Sequence, residues 1–383
     1  MTKPCRWFGN MLDHRLQSKL VDLCHLLIDQ RRARVIVPPY DASSGFWFGG
    51  GNMAVGPDGA LYLVGRYRNH GDSRTGLAAG SRGLELAIFR SSDHGRSFEK
   101  VLGWSKQELS RPETPVLSIE GSAIRFGDGT VELYVSTEKD RVGYPAEFQR
   151  FLKPGTGVWS IDRIQADGIE GLKDAEIVPW LVSKEPETIH VKDPFLYQSP
   201  TGPLLLFCSH PFNWTSSNTG FVAAEDRETA DTDATTRCGS ATFDFFPRGN
   251  VWDVAMTRGT AVIDVPALGA FRGRNVQLMF YDGGECVRDH AQHAESVARP
   301  RGHSCEELGG AAVFLNRRWQ QPQRLSRYEP LFVSPFGTGC SRYVDVLARP
   351  EGMYASWQQS QQDGSQPLVF HFVPRSEIES VLA

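Results

Sequence analysis

The segment that decides the fold is His190-Val191-Lys192-Asp193-Pro194-Phe195-Leu196-Tyr197, followed by Ser199-Pro200-Thr201-Gly202 and then by Leu204-Leu205-Leu206-Phe207-Cys208. The two apolar runs are too short for helices, and proline and glycine lie between them. This pattern predicts a strand, a tight turn and a buried strand. One acid, Asp193, stands at the start of the first strand, where the next residue, a proline, fixes the backbone.

The same hairpin pattern returns four more times. The other copies begin at Met53, Ser122, Ala261 and Tyr343. The starting points are about 70 residues apart, with a longer last gap, and a regular period of this size indicates a repeat architecture. Two hairpins per repeat form a four-stranded antiparallel blade, so the sequence predicts an all-β fold, a five-bladed β-propeller. A β-sandwich or a two-domain all-β protein is the alternative.

The two ends of the chain complete this prediction. The fifth blade lacks one strand at the C-terminus, and Arg34-Val35-Ile36-Val37-Pro38 supplies it as an outer edge strand, where proline is tolerated. Residues 13–30 carry apolar side chains at helical spacing and predict a short amphipathic helix. We therefore divide the chain into an N-terminal helical extension, residues 1–34, and one propeller domain, residues 35–383.

Composition narrows the partners. The formal charge is −4 and no basic stripe occurs, so a nucleic-acid partner is not indicated. No apolar run approaches the roughly 20 residues that span a bilayer, so no membrane partner is expected. The seven cysteines are scattered, and the N-terminal residues do not resemble a signal peptide. Both observations predict a cytoplasmic protein with reduced thiols. The oligomeric state stays open.

No cofactor or metal is predicted. The histidines between Cys286 and Cys305 do not match a familiar zinc spacing, and we interpret residues 286–307 as a loop over the funnel. The segment ends in Glu306-Glu307, which is either a second acidic cluster or a solvated turn.

One turn has a recognisable pattern. Ser91-Ser92-Asp93-His94-Gly95-Arg96-Ser97-Phe98 resembles the Asp-box of sialidases and other propellers, a turn between outer strands of a blade. In such a turn, Asp and Ser side chains bind the backbone, and glycine permits a positive φ. We therefore expect a structural role for Asp93.

In a propeller, the inner strands line a central funnel, so the residues at their beginnings meet the residues at the ends of the second strands. Acids, arginines and aromatic residues gathered at one mouth suit sugar chemistry, since two carboxyl groups can act as acid and as base or nucleophile. The candidate acids are Asp72, Glu120, Asp193 and Glu285. The candidate substrate-binding residues are Arg66, Arg68, His210, Trp214, Arg258, Arg342, Tyr343 and Trp357.

Three short motifs carry a family resemblance. Lys192-Asp193-Pro194, Glu120-Gly121-Ser122-Ala123 and Glu285-Cys286 resemble motifs of the five-bladed propeller glycosidases, the group that contains glycoside hydrolase families 32, 43, 68, 117 and 130. The chain departs from these families in blade one, because Asn52 is followed by Met53 where an acid is expected.

The resemblance implies a role for each acid. Asp193 would stabilise the transition state or tune the pKa of the acid, and Glu285 would be the general acid. Glu120 is an alternative acid or base, and Asp72 is a candidate for the base that blade one lacks. The sequence thus predicts a glycoside hydrolase, or a transglycosylase, acting on a small oligosaccharide. A sialidase-like enzyme, a non-catalytic carbohydrate-binding propeller and a polysaccharide lyase are the alternatives.

Overall fold

The computed structural model describes residues 12–68, 82–127, 129–140, 142–152, 155–224, 233–284, 307–316 and 322–383. Within them, five antiparallel sheets follow one another along the chain. Each sheet is a blade of the predicted five-bladed propeller, which is confirmed. None of the helices in these ranges is long and apolar enough to cross a membrane.

The chain begins with helix α1 (His14–Leu27) and strand β1 (Arg34–Val37). Blade one contains β2 (Trp47–Gly49), β3 (Met53–Val55), β4 (Leu61–Arg68), β5 (Glu85–Ser91) and β6 (Glu99–Ser105). Blade two contains β7 (Val116–Gly127), β8 (Thr130–Lys139), β9 (Val158–Ala166) and β10 (Ile177–Leu181).

Blade three contains β11 (His190–Ser199), β12 (Gly202–His210), β13 (Asn218–Ala223) and β14 (Thr242–Phe246). Blade four contains β15 (Met256–Asp264), β16 (Val276–Gly284), β17 (Leu308–Leu315) and β18 (Gln323–Arg324). Blade five contains β19 (Ser341–Arg349), β20 (Gly352–Gln359) and β21 (Leu368–Pro374).

Two further α-helices are α2 (Ala234–Gly239) and α3 (Arg375–Leu382). Short 3-10 helices lie at Ala146–Phe151, Glu170–Lys173, Pro186–Thr188 and Gly269–Phe271.

The N-terminal strand closes the ring as predicted. β1 pairs antiparallel with β21, with Arg34 opposite Phe370, and so becomes the outer strand of blade five. Because the two ends of the chain share one sheet, the ring is closed by backbone hydrogen bonds.

Helix α1 is also confirmed, and its position follows from its apolar face. Asp13 caps it by accepting a hydrogen bond of 2.9 Å from the Leu16 N–H. Leu20 and Leu27 are fully buried in an apolar cluster that includes residues of blades four and five and of α3. The helix is therefore part of the core of the fold.

The turn at residues 91–98 lies between β5 and β6 and makes the contacts expected from its pattern. The Asp93 carboxylate accepts hydrogen bonds from Ser97 N at 2.9 Å, Ser97 Oγ at 2.6 Å and Ser91 Oγ at 2.7 Å. Gly95 has a φ of 79°, and the Phe98 ring contacts Phe370 of blade five. These bonds fix the turn, so Asp93 has a structural role here.

In every blade, the inner strand carries one residue more than the stretch of the second strand that it faces, and this extra residue lies at a similar position along the strand. In β11, Asp193 and Pro194 together face the single residue Phe207 of β12. In β7, Glu120 and Gly121 face Ser136. The inner strands of blades four and five show the same kind of register shift, and in blade one the break between β2 and β3 has this effect. Such bulges redirect side chains, and here all five lie around the central axis.

Candidate active site

Asp193 lies in the bulge of blade three. Its φ is +52°, a left-handed conformation that aspartate adopts more readily than most residues. Its backbone N–H donates to Ser136 Oγ at 3.1 Å, and its Oδ1 accepts from Gly121 N at 2.8 Å. Blade two therefore holds both the backbone and the side chain of Asp193 in place.

Basic groups surround this carboxylate. Arg258 Nη1 lies 3.3 Å and Lys192 Nζ 3.7 Å from Asp193 Oδ2. Burial raises the pKa of Asp193, but these two cations and Arg66 outweigh it and hold the pKa well below the usual range. Asp193 is therefore a permanent negative charge at the axis.

Glu120 lies in the equivalent bulge of blade two. Its Oε2 is 3.4 Å from Arg66 Nη2, its Oε1 accepts from Ser118 Oγ at 2.8 Å, and its side chain is 14% exposed. Burial opposes ionisation, but Lys192 and Arg66 lower the pKa of Glu120 below its ordinary value. Glu120 is thus an ionised carboxylate that a ligand in the funnel can reach.

Arg258 joins three blades. It donates from Nε to Asp282 Oδ2 at 3.0 Å and from Nη2 to the same oxygen at 2.7 Å, and it also contacts Asp193 and Glu307. Its guanidinium lies 3.9 Å from the centre of the Tyr343 ring. Burial lowers the pKa of Arg258, but the surrounding carboxylates raise it by more. The net pKa lies well above the usual value, so the group remains charged.

Tyr343 occupies the bulge of blade five and, like Asp193, has a positive φ, of 53°. Its backbone N–H donates to Asp282 Oδ1 at 3.0 Å, and its hydroxyl accepts from Arg66 Nη2 at 3.0 Å. Burial raises the pKa of Tyr343 to about 12, although Arg258 and Arg66 lower it. Tyr343 is thus protonated and placed between cations from blades one and four.

Glu307 and Arg342 form the side of the site between blades four and five. Arg342 Nη1 lies 2.7 Å from Glu307 Oε2, and Arg258 binds the same carboxylate. The Glu307 side chain is 17% exposed. Burial raises its pKa, but the two arginines lower it well below the usual range. Of the acidic pair Glu306-Glu307, the structure describes Glu307. This residue belongs to the site.

Two further acids have raised pKa values. Burial raises the pKa of Asp282 to about 6, with Glu307 adding to it and Arg258 opposing it. Burial also raises the pKa of Glu138, at the end of β8, to about 7, against the charge of Arg82 at 2.9 Å. Both side chains are inaccessible, so neither contacts a ligand in this conformation.

His210 and Trp214 lie on the blade-three side of Asp193. Cys208 Sγ is 3.6 Å from Asp193 Oδ2 and 3.8 Å from His210 Nε2. Burial and Lys192 lower the pKa of His210 to about 3, so its ring is neutral. Trp214 stacks on His190 and contacts the His210 ring.

Trp357 is a predicted site residue that lies away from this cluster. Trp357 is fully buried, and its indole N–H donates to Gln30 at 3.1 Å, so it packs in the core near α1 and does not line the funnel. Asp72 and Glu285 lie outside the described residues, as do the histidines of the 286–307 segment.

The funnel narrows next to these residues. A cavity of about 20 Å³ lies along the axis, lined by Asp193, Arg258 and Tyr343 together with Gly51 and Gly121. A space of this size holds about one water molecule, so a larger ligand approaches only from the mouth.

Six of the predicted site residues lie together in the structure: Asp193, Glu120, Arg66, Arg258, Arg342 and Tyr343. Three further residues of the cluster, Asp282, Glu307 and Lys192, were not among the predicted site residues. Asp282 stands at the end of the fourth hairpin, three residues before Glu285, so its position was available as a signal. The contact of Glu307 with Arg258 had no signal in the sequence, because it depends on where β17 begins.

No protein-family model matches the sequence, and no curated protein matches it. Solved structures do share its fold. One, described as a glycoside hydrolase, has a TM-score of 0.59 at 9% identity, over 94% of this chain and 96% of that one.

A GH43_1 enzyme from Xanthomonas citri, solved with xylotriose, has a TM-score of 0.52 at 10% identity, over 93% of each chain. An α-L-arabinofuranosidase from Lactobacillus brevis also has a TM-score of 0.52 at 10% identity, over 88% of this chain and 91% of that one. At such identities the likeness establishes the five-bladed fold.

Proposed function

We propose that the protein is a glycoside hydrolase, or a transglycosylase, that cleaves a small oligosaccharide at the mouth of the propeller. The observation that carries this proposal is a cluster of carboxylates from three neighbouring blades, Glu120, Asp193 and Glu307. Arg66 and Arg258 bind these carboxylates, and both guanidiniums lie over the Tyr343 ring. The fold neighbours named above include a glycoside hydrolase and a GH43_1 enzyme, which supports the same reaction class.

Asp193 acts through its charge. It is buried, permanently ionised and fixed from two sides, which suits stabilisation of an oxocarbenium-like transition state and tuning of a nearby acid. A proton-transfer role suits it less, since its oxygens are already occupied by Gly121, Arg258 and Lys192.

Glu120 acts as base or nucleophile. Blade one carries Met53 where the propeller glycosidases carry an acid, and the preceding Asn52 is bound to the backbone of blade two, since Asn52 Oδ1 accepts from Ile124 N at 2.8 Å and Asn52 Nδ2 donates to Ile124 O at 3.0 Å. Glu120 of blade two is ionised and partly exposed, so we assign this function to it.

The general acid is assigned to Glu285. An acid catalyst must be protonated and must reach the leaving oxygen. Asp282 and Glu138 have raised pKa values, but both are inaccessible. Glu285 follows directly after β16, the strand that carries Asp282, and the assignment rests on this position and on the Glu-Cys resemblance.

A sialidase-like enzyme is the second candidate. It is favoured by Tyr343, whose hydroxyl contacts Arg66 and whose ring contacts Arg258 and Arg342. Such an enzyme would cleave acidic glycosides through the tyrosine, and Tyr343→Phe would then abolish turnover.

The test is turnover of a panel of neutral and acidic oligosaccharides, with products identified by chromatography and NMR. We expect hydrolysis or transfer by the wild type and a large loss in Glu120→Gln and Glu285→Gln. Saccharide binding in calorimetry without any product would show a carbohydrate-binding propeller instead. An unsaturated product would show a lyase.

The described cysteines support a reducing compartment. Cys24, Cys208 and Cys238 are all buried and free. We propose a cytoplasmic location, for which maleimide labelling of the unfolded, unreduced protein should count seven thiols.

A further inference from the structure

Arg68 lies at the edge of the site, at the end of β4. It pairs in register with Trp47 of β2, and its guanidinium lies 4.3 Å from the centre of the Trp47 ring. The Arg342 guanidinium lies at the same distance, 4.3 Å, from that ring. Two cations, one from blade one and one from blade five, therefore share one indole.

The two arginines differ in their partners. Arg342 is bound to Glu307 at 2.7 Å and lies near Gln366. Among the described residues, no carboxylate lies within ion-pair distance of Arg68, and its Nε is buried without a hydrogen-bond partner. An unpaired buried donor is unfavourable, so this N–H favours a ligand that can accept its hydrogen bond.

Among the described residues, Arg342, Arg66 and Arg82 place positive charge around Arg68. Burial, with these arginines adding to it and Glu120 opposing it, lowers the pKa of Arg68 to about 10. Contact with Trp47 compensates only in part, because a cation–π contact leaves the Nε–H unbound. An anion placed here would satisfy the donor and relieve the repulsion.

We propose that Arg68, above Trp47 and beside Arg342, binds an anionic group of the saccharide, either a carboxylate or a sulfate. The planar fork of an arginine suits both groups. The inference rests on the proposed function for the identity of the ligand as a saccharide, and it narrows the substrate to acidic sugars. Because Arg342 contacts the same Trp47 ring as Arg68 and binds Glu307 at 2.7 Å, the acidic group would lie on the Glu307 side of the candidate site.

The test is calorimetric binding of D-glucuronate, D-glucose 6-sulfate and D-glucose to the full-length protein. We expect at least one of the acidic probes to bind about tenfold more tightly than D-glucose or better, because a charged hydrogen bond contributes about this much affinity. The two acidic probes distinguish the carboxylate from the sulfate. Equal binding of all three, or no binding of either acidic probe, would overturn the proposal.

The variants locate the effect. Arg68→Gln should abolish the preference for the acidic probe, and Arg68→Lys should retain part of it. Arg90→Gln is the matched control, because Arg90 is an exposed arginine of the same blade that pairs with Asp58. Its preference should equal that of the wild type. A preference that survives in Arg68→Gln, with the fold intact by circular dichroism, would contradict the proposal.

This binding test separates the two proposals. Acidic oligosaccharides that bind through Arg68 without being cleaved would leave the anion site standing and overturn the hydrolase; the monosaccharide probes report on binding alone, because they contain no glycosidic bond. Cleavage of acidic oligosaccharides with an unchanged kcat/KM by Arg68→Gln would overturn the anion site and leave the hydrolase standing.

Discussion

Arg258 Nη1 lies 3.3 Å from Asp193 Oδ2, and this buried ion pair joins the inner strands of blades three and four. The same guanidinium binds Asp282 and Glu307. The charge that tunes the candidate catalytic carboxylate is therefore also a structural link across the funnel.

Removing Arg258 should destabilise the fold strongly. In Arg258→Met, Asp193 keeps Lys192 and Glu307 keeps Arg342, but the fully buried Asp282 loses the cation that binds it. Breaking a buried pair in this way costs about 3–5 kcal/mol. Arg375→Met is the control, because Arg375 forms an exposed pair with Glu379 and such pairs contribute about 0–1 kcal/mol. Denaturant unfolding measures both, and equal losses would contradict the link.

Gly121 is expected to be essential because it lies against Asp193. A Cβ at position 121 would lie 2.5 Å from Asp193 Oδ1 and 3.0 Å from Asp193 Cα, so Gly121→Ala must displace the carboxylate. We expect a loss of about 1–3 kcal/mol of stability together with a loss of activity. Gly127→Ala, in the same strand but facing open space, should change neither. Unfolding and turnover measurements that give the same result for both variants would show that the contact does not matter.

Asp345 should make the stability depend on pH. Burial raises its pKa to about 7, although the Met53 N–H, at 2.7 Å, opposes the shift. In the unfolded chain its pKa is about 3.9. Between these values the folded state binds more protons, so the free energy of unfolding falls as pH rises from about 4 to 7.

Asp345→Asn keeps an acceptor for the Met53 N–H and cannot ionise. The variant should therefore gain stability relative to the wild type as pH rises through this window, which unfolding at pH 4, 5.5 and 7.5 would reveal. Parallel curves for the two proteins would contradict the raised pKa.

Much of the fold was predictable because its signals are local. Each hairpin has proline or glycine between two apolar runs, and Pro38 and Pro39 mark the outer strand that closes the ring. The bulges were not predictable in this way. A single extra residue in an inner strand leaves little compositional signal, yet it determines that Glu120, Asp193 and Tyr343 lie at the axis.

Trp357 shows how an unpredicted bulge makes the orientation of a single side chain hard to predict. Side chains alternate between the two faces of a strand, so a shift of one residue exchanges the faces. Trp357 lies opposite the bulge of blade five, at residues 343–344, and packs into the core. The pairing of Arg258 with Glu307 was equally hidden, because it joins two strands whose register only the folded sheet defines.

The central claim is that Asp193 serves a glycosidic reaction, and the kcat/KM of Asp193→Asn on the best oligosaccharide tests it most directly. Asparagine tolerates the left-handed backbone and can still accept from the Gly121 N–H, so the fold should survive. Asp93→Asn, the same change in the outer turn of blade one, is the matched control. The account predicts a fall of roughly 10²–10³-fold for Asp193→Asn and wild-type activity for Asp93→Asn. Unchanged kcat/KM in a folded Asp193→Asn protein would contradict it.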